Sequence, residues 1–136
     1  MTSVDDALDL AVLEVNNIPE DIQPLSLVST PTNLNLPIRV IGHPFTETGW
    51  MVSEGKVISL EPPLLQLSAL VAQGNSGSPV LDEQNHVVGV MSFMVPSTEQ
   101  LIELLPSPDL SSLRGYGVAF SSKAVKEKLE SWGIKN

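Results

Sequence analysis

Two glycines flank a serine in the segment Gly74-Asn75-Ser76-Gly77-Ser78-Pro79, which lies between two apolar runs. Because glycine tolerates backbone conformations that other residues avoid, this segment can make a tight turn whose consecutive N–H groups point at one place. Such groups beside a serine hydroxyl can stabilise the negative charge that develops on a carbonyl oxygen under attack. The same residue types also form ordinary polar hairpin loops, and the segment by itself leaves that alternative open.

The run from Val80 to Ser92 predicts a β-hairpin directly after this turn, with two apolar segments around polar residues 82–86. A Gly-Asn-Ser-Gly loop followed by a Val-Gly-Val-Met-Ser strand resembles the trypsin-like (chymotrypsin-fold) serine endopeptidases, and most closely their Deg/HtrA-type bacterial branch. In that family a Gly-Asn/Asp-Ser-Gly-Gly-Pro-like loop carries the nucleophile. Ser78 stands where the family usually has a second glycine, so a positive φ at Ser78 would strain the loop.

The resemblance implies catalytic roles for residues in three segments. Ser76 would be the nucleophile, and the backbone N–H groups of Gly74 and Ser76 would form the oxyanion hole. Asp9 lies in a Leu-Asp-Leu-Ala-Val-Leu run similar to the family's strand with the triad aspartate, and Ser92 matches the serine whose hydroxyl supports that aspartate. The alternatives are that Asp9 caps a strand or turn and that Ser92 is a plain strand serine.

The resemblance also implies a substrate pocket formed by the strands on either side of the serine loop and by the last strand. It places Leu70 and Val71 near the base of the pocket, Met94 at its side and Gly117 where space is needed. Because this base has no acid, a bound Lys or Arg side chain would be buried unpaired, so small or medium aliphatic residues are expected before the scissile bond. The alternative is that these four residues belong to the barrel core.

A histidine base is the missing part of this set. In chymotrypsin-like order the histidine precedes the aspartate, but no histidine precedes Asp9. His43 follows a predicted strand and could approach the serine loop, whereas His86 begins the second hairpin strand; neither is expected to be the base. The chain is therefore expected to be a fragment of a serine endopeptidase that is inactive alone and is completed by an N-terminal, histidine-bearing half, in cis or in trans.

Two other functions stay open. One is a non-catalytic, protease-like module that binds peptides or a partner through the pocket and exposed strand edges. The other is a domain of unrelated function that shares only the barrel.

Composition limits the remaining function classes. The 136 residues include no cysteine and two histidines, so we expect no disulfides, no thiol nucleophile, no metal site and no cofactor. The net charge is −9, with fourteen acids against two bases in residues 1–110, which disfavours nucleic acid as a partner. No apolar run is long enough to span a bilayer, so no membrane partner is expected, and the compartment, cytoplasmic or periplasmic, stays open.

Eleven prolines and nine glycines between short apolar runs predict an all-β chain with many turns. Residues 7–15 predict a strand buried on both faces, and 16–35 an irregular connection. Further strands are predicted at 36–42, at 50–60 with a bend at Gly55, at 64–71, and at 115–120 after the hairpin. A short helix is predicted after Ser97, and a terminal helix is predicted to be capped by Ser122, to hold Val125, Leu129 and Trp132 on one face, and to stop at Gly133.

The resemblance also implies that the chain divides into two parts near residue 35. Residues 1–35 would be the last strand of an N-terminal barrel plus the inter-barrel connection, and residues 36–136 the C-terminal antiparallel β-barrel of a chymotrypsin-like fold with its terminal α-helix. A strand from Leu8 to Val15 without its barrel neighbours would expose apolar faces and an unpaired edge, which predicts self-association.

Overall fold

Eight β-strands and one α-helix occupy the part of the chain that the structure, a computed structural model, describes: residues 3–28, 32–43, 49–72, 74–96 and 114–135. The strands are β1 Ser3–Asp5, β2 Leu10–Val12, β3 Pro37–Gly42, β4 Met51–Glu61, β5 Leu64–Ala72, β6 Pro79–Leu81, β7 Val87–Pro96 and β8 Arg114–Ser121, and the helix is α1 Ser122–Ser131. The predicted short helix after Ser97 lies outside these ranges. Within them no helix is long and apolar enough to cross a membrane.

Six of the strands close into an antiparallel barrel in the order β3-β4-β5-β8-β7-β6. Successive side chains along a strand point to opposite faces of the sheet, so every second residue points into the barrel. There a fully buried valine or leucine contributes roughly 1.5–3 kcal/mol. The buried core consists of Ile38, Val40, Val57, Leu65, Leu67, Ala69, Val71, Val80, Val88, Met91 and Ala119. The prediction of an all-β barrel followed by a C-terminal helix is confirmed.

The four strands predicted at 36–42, 50–60, 64–71 and 115–120 match the observed strands within one residue at each end, a scatter that is ordinary for strand boundaries. At Gly55 the two neighbouring strands approach so closely that a Cβ there would lie 2.5 Å from the backbone nitrogen of Ala69. The hairpin after the serine loop is also present. Its turn is stabilised by Asp82, whose carboxylate accepts hydrogen bonds from the N–H groups of Gln84 and His86 at 2.8 and 2.9 Å.

The prediction of a strand buried on both faces at residues 7–15 is wrong. The chain instead forms a two-stranded hairpin, β1 and β2, with a turn at residues 6–9. The turn forms because Asp9 adopts a φ of +49°, which aspartate tolerates better than most residues. Leu13 and Val15, beyond the hairpin, are 64% and 62% exposed.

The N-cap of the terminal helix lies one residue before the predicted position. Ser121 is the N-cap, and its side chain accepts a hydrogen bond from the N–H of Ala124 at 3.3 Å. Ser122 is instead the first helical residue, and its buried hydroxyl donates to the carbonyl of Val87 at 2.7 Å. The predicted stop at Gly133 is confirmed: its φ is +76°, a conformation that favours glycine after a helix.

The predicted division near residue 35 coincides with a change in structure. The β1–β2 hairpin and an irregular connection precede it, and the barrel begins with β3. The connection touches the barrel through a parallel bridge between Leu27 and Val87. That residues 1–35 belong to a further barrel stays a prediction.

Candidate active site

The loop that carries Ser76 connects β5 to β6 at one end of the barrel. Within the loop the N–H of Ser78 donates to the carbonyl of Asn75 at 3.0 Å. Two further hydrogen bonds join the loop to Met91 on β7: the N–H of Gly77 donates to its carbonyl at 2.7 Å, and its own N–H donates to the carbonyl of Ser78 at 2.9 Å. The loop therefore extends the β6–β7 ladder, which holds Ser76 against β7.

Both glycines of the loop use conformations that other residues avoid, since φ is +101° at Gly74 and +87° at Gly77. Ser78 has no positive φ, so replacing the family's second glycine by serine introduces no backbone strain there. Within the described part of the chain, the N–H groups of Gly74 and Ser76 donate to no acceptor. Two free N–H groups within a serine turn fit an oxyanion hole. That role stays a prediction.

A β-bulge on β7 determines the position of Ser92. Met91 pairs with Ala119 and Phe93 with Val118, so Ser92 between them has no partner on β8. An additional residue in a strand re-aims its own side chain and frees its backbone from the ladder. The hydroxyl and the backbone carbonyl of Ser92 are then available to residues outside the barrel sheet.

Hydrogen bonds link Ser92 to the two residues that are expected to do the chemistry. Its hydroxyl donates to Asp9 Oδ2 at 2.7 Å, across 83 positions of sequence, and its carbonyl accepts from Ser76 Oγ at 2.8 Å. The tertiary structure therefore brings Asp9, Ser92 and Ser76 into one connected arrangement. Their catalytic roles remain predictions.

Asp9 is presented by the turn between β1 and β2. Its N–H donates to the carbonyl of Asp6 at 3.3 Å, and the carboxylate of Asp5 accepts from the N–H of Leu8 at 2.8 Å. Asp5 also pairs with Lys128 of α1 at 2.8 Å. The hydrogen bond from the Lys128 ammonium, and after it the one from Leu8, hold the pKa of Asp5 below its ordinary value. No local sequence pattern marks Asp5 or Lys128 as part of this arrangement.

Neither histidine lies in the arrangement. His43 is exposed and its ring packs edge-on against Trp50, with the ring centroids 5.5 Å apart. His86 lies in the hairpin turn, with its Nδ1 3.7 Å from Asp82 Oδ2. Among the residues that the structure describes, neither ring forms a hydrogen bond or ion pair with Ser76 or Asp9.

Gly42, the last residue of β3, lies directly against the serine loop. A Cβ at Gly42 would collide with Asn75 Oδ1 and Ser78 Oγ, so the loop can pack here only because this residue is glycine. Asn75 is 3% exposed, and its Oδ1 has no hydrogen-bond partner in the described ranges. The local sequence predicts a strand that ends at Gly42 but does not reveal this contact with the serine loop.

The four predicted pocket residues fall into two groups. Val71 and Gly117 face the barrel interior, where a Cβ at Gly117 would lie 2.7 Å from Met91 Cε and 3.5 Å from Val71 Cγ2. Leu70 lies on the outer face and is 51% exposed. The structure therefore brings Val71 and Gly117 together with Met91, which sequence reasoning missed, but does not bring Leu70 to them. The backbone of Met94 pairs with Gly117, and its side chain lies outside the described residues.

Metal-binding chemistry finds no support in the described side chains. No group of three or more His, Cys, Asp or Glu residues among them is arranged to hold a metal ion.

Comparisons with known proteins show the fold and the family of the chain. The chain is similar in structure to an inactive form of a serine-to-alanine mutant of Rv3671c from M. tuberculosis H37Rv, with a TM-score of 0.71 and 20% sequence identity over 97% of this chain. The matched region covers 63% of that longer chain. This likeness shows the fold, a chymotrypsin-like barrel. A family model described as "Trypsin-like peptidase domain" matches residues 1–90, from the β1–β2 hairpin through the serine loop to β7. The chain therefore belongs to the trypsin-like peptidase domain family.

Proposed function

We propose that this chain carries the serine and the aspartate of a serine endopeptidase, which hydrolyses peptide bonds through an acyl-enzyme on Ser76. The observation that supports the proposal best is the connected arrangement of Asp9, Ser92 and Ser76. A serine on a tight turn with free N–H groups beside it, linked through one strand to a carboxylate, supplies the parts that acyl transfer requires apart from the histidine base. The Gly-Asn-Ser-Gly loop and the Val-Gly-Val-Met-Ser strand favour the Deg/HtrA-type branch.

In the proposed reaction Ser76 Oγ attacks the carbonyl carbon of the scissile peptide bond, and its proton passes to a histidine base. The N–H groups of Gly74 and Ser76 stabilise the negative charge on the carbonyl oxygen. The base then returns the proton to the leaving amine, and the acyl group stays on Ser76 until water attacks it with the same base accepting the proton. Asp9 orients the base, and the hydroxyl of Ser92 holds Asp9.

The histidine in this proposal comes from a polypeptide segment outside residues 1–136, either preceding them in one chain or supplied in trans. His43 and His86 contact Trp50 and Asp82 instead of the site. Without the base, Ser76 keeps the poor nucleophilicity of an alcohol near neutral pH. The 136-residue chain alone is then inactive.

The substrate in this proposal is a polypeptide with a small or medium aliphatic residue before the scissile bond. The strands that carry Val71, Met91 and Gly117 would form the pocket, and these three residues are apolar and offer no counter-charge, although the side chains of Val71 and Met91 are themselves buried in the barrel core. Met94 forms the side of the proposed pocket, whereas Leu70, on the outer face of the barrel, does not reach Val71 and Gly117.

A fluorophosphonate probe, which reacts covalently with activated serines, tests the function. The 136-residue chain alone should show no labelling and no turnover, and adding a histidine-bearing, trypsin-like N-terminal segment from the parent gene should produce labelling that Ser76→Ala abolishes. His43→Ala should leave this labelling unchanged. If the chain labels alone and His43→Ala stops it, our assignment of the base is wrong.

A completed protein that stays inert would favour the second candidate, a non-catalytic module that binds peptides. The absence of a histidine bonded to Ser76 among the described residues is the observation that keeps this candidate open. Ser76→Ala should then leave peptide binding unchanged in isothermal titration calorimetry.

A further inference from the structure

The β1–β2 hairpin, which presents Asp9, has no backbone ladder to the barrel. In the described residues β1 pairs with β2, and the two form a separate two-stranded sheet. An isolated two-stranded hairpin is marginally stable in water. Side-chain contacts must therefore determine where the hairpin lies relative to Ser76.

Two such contacts are present, one at each end of the turn. At one end Asp9 accepts the hydrogen bond from Ser92 on β7 at 2.7 Å. At the other end Asp5 pairs with Lys128 of α1 at 2.8 Å. Between the hairpin and the helix lies an open groove of about 410 Å³, lined by Asp5, Ala7, Leu8, Ala124, Glu127, Lys128 and Ser131. Among the described residues, the ion pair is the polar side-chain contact that joins the hairpin to the helix across this groove.

The carboxylate of Asp5 contacts both Lys128 and the turn that ends at Asp9. Its Oδ2 meets the Lys128 ammonium, while its Oδ1 accepts the hydrogen bond from the N–H of Leu8, the residue before Asp9. The backbone at Asp9 is in the left-handed region, with a φ of +49°, so the turn needs such fixation to keep its shape. The Lys128 ammonium also lies 5.9 Å from the ring centroid of Trp132, which limits where it can lie.

We propose that Lys128 is a positioning residue for Asp9: through the carboxylate of Asp5 it anchors the β1–β2 hairpin to the C-terminal helix and thereby holds Asp9 at Ser92. The importance of this anchor for catalysis rests on the proposed function, in which Asp9 orients the base. The anchor itself is a property of the fold. An ion pair with this exposure contributes little to global stability, so its effect is local.

The first experiment measures the anchor without catalysis, by NMR on the isotopically labelled 136-residue chain. Lys128→Met removes the charge and retains an unbranched apolar side chain, Lys128→Arg retains the charge, and Lys123→Met is the matched control. Lys123 is exposed on the same helix and has no ion pair in the described ranges. We expect Lys128→Met to lower hydrogen-exchange protection of the Leu8 amide by about three- to fivefold, the effect of losing a partly exposed ion pair.

The carboxyl resonance of Asp9 should shift in the same variant, while the barrel amides keep their protection. Lys128→Arg and Lys123→Met should both resemble the wild type. Unchanged Leu8 and Asp9 signals in Lys128→Met would overturn the proposal. A change that Lys128→Arg fails to restore would overturn it too, since the anchor acts through charge.

The second experiment uses the protein completed with the histidine-bearing segment. Lys128→Met should lower kcat by about three- to fivefold with KM unchanged, because the same loss of hairpin anchoring lowers the fraction of molecules with Asp9 in place without changing substrate contacts. Lys128→Arg should restore kcat. If the completed wild type is inert, the proposed function fails while the NMR result still decides the anchor. If it is active and Lys128→Met retains full kcat, the positioning role is wrong.

Discussion

Ser76 Oγ donates a hydrogen bond of 2.8 Å to the carbonyl oxygen of Ser92, a strand residue that a β-bulge leaves without a partner on β8. The serine hydroxyl is therefore held on the backbone of the same residue whose side chain holds Asp9. To transfer its proton to a base, Ser76 must rotate away from this carbonyl. The bulge thus couples the nucleophile and the carboxylate through one residue.

Ser92→Ala separates the two contacts of Ser92, because alanine keeps the carbonyl that accepts from Ser76 but loses the hydroxyl that donates to Asp9. We expect the free energy of unfolding to fall by about 1.5–3 kcal/mol, the range for hydrogen bonds to charged groups. Hydrogen exchange in the β1–β2 hairpin should accelerate more than in the barrel. Ser131→Ala, which removes an exposed hydroxyl bonded to the carbonyl of Lys128, is the control and should change stability by under about 0.5 kcal/mol. Equal effects of the two variants would contradict the role of Ser92.

Gly42→Ala should displace the serine loop, since the added methyl group would collide with Asn75 Oδ1 and Ser78 Oγ. Overpacking of this kind destabilises a protein by about 1–3 kcal/mol, which urea unfolding would measure. The matched control is Gly49→Ala, because a Cβ at Gly49 meets no atom of the described residues within 4 Å. In the completed enzyme Gly42→Ala should also reduce probe labelling of Ser76, whereas Gly49→Ala should not. A Gly42→Ala variant that is as stable and as reactive as Gly49→Ala would refute the close packing.

The completed enzyme should cleave peptides with Val, Ala, Leu or Ile before the scissile bond faster than peptides with Lys or Arg. A basic side chain would be buried without a counter-charge in the proposed pocket, which is unfavourable. Profiling with a peptide library measures this preference. A profile dominated by basic residues would show that the pocket assignment is wrong.

Gly117→Ala tests the depth of the same pocket, because its Cβ would lie 2.7 Å from Met91 Cε. The flexible methionine must move, and we expect the preference to shift towards smaller residues. Combining Gly117→Ala with Met91→Ala should relieve the clash and partly restore cleavage after Leu. Identical profiles for all variants would exclude both residues from the pocket.

Acidification should release the β1–β2 hairpin from the helix. Because Lys128 lowers the pKa of Asp5 from its ordinary value of 3.8, the stabilisation from this pair is fully present above that value. It is lost as the pH falls through the lowered pKa of folded Asp5. Glu127 also lines the groove and Asp9 lies at the far end of the turn, so the comparison of wild type with Lys128→Met isolates the pair. Hydrogen-exchange protection of the hairpin amides should differ between the wild type and Lys128→Met at pH 7 and converge at about pH 2. A difference that persists in acid would contradict this assignment.

The 136-residue chain alone should self-associate at high concentration. The hairpin has unpaired strand edges in the described residues, and Leu13, Val15, Ile18 and Ile22 expose more than half of their surface. Multi-angle light scattering would detect the larger species, and the histidine-bearing segment should reduce their population if it covers this surface. A monomer at all concentrations would count against the expectation.

Local sequence was sufficient for much of the barrel. Short apolar runs between glycine- and proline-rich turns predicted its six strands, because alternating burial along a strand is visible in the residues themselves. The serine loop was equally readable, since Gly74 and Gly77 are needed for positive φ values and Ser76 lies between them. The helix stop at Gly133 follows from the same backbone preference.

Tertiary structure alone decided how the candidate site is assembled. The apolar residues 7–15 predicted a buried strand, but composition does not reveal what covers a strand. The carboxylate of Asp5, which accepts a hydrogen bond within the turn that ends at Asp9, also pairs with Lys128 near the other end of the chain. The bulge that frees Ser92 arises from the pairing of β7 with β8. Likewise, the need for glycine at position 42 appears only when β3 packs against the serine loop. Contacts between residues far apart in sequence leave no periodic pattern, so only the folded chain brings Asp9, Ser92 and Ser76 together.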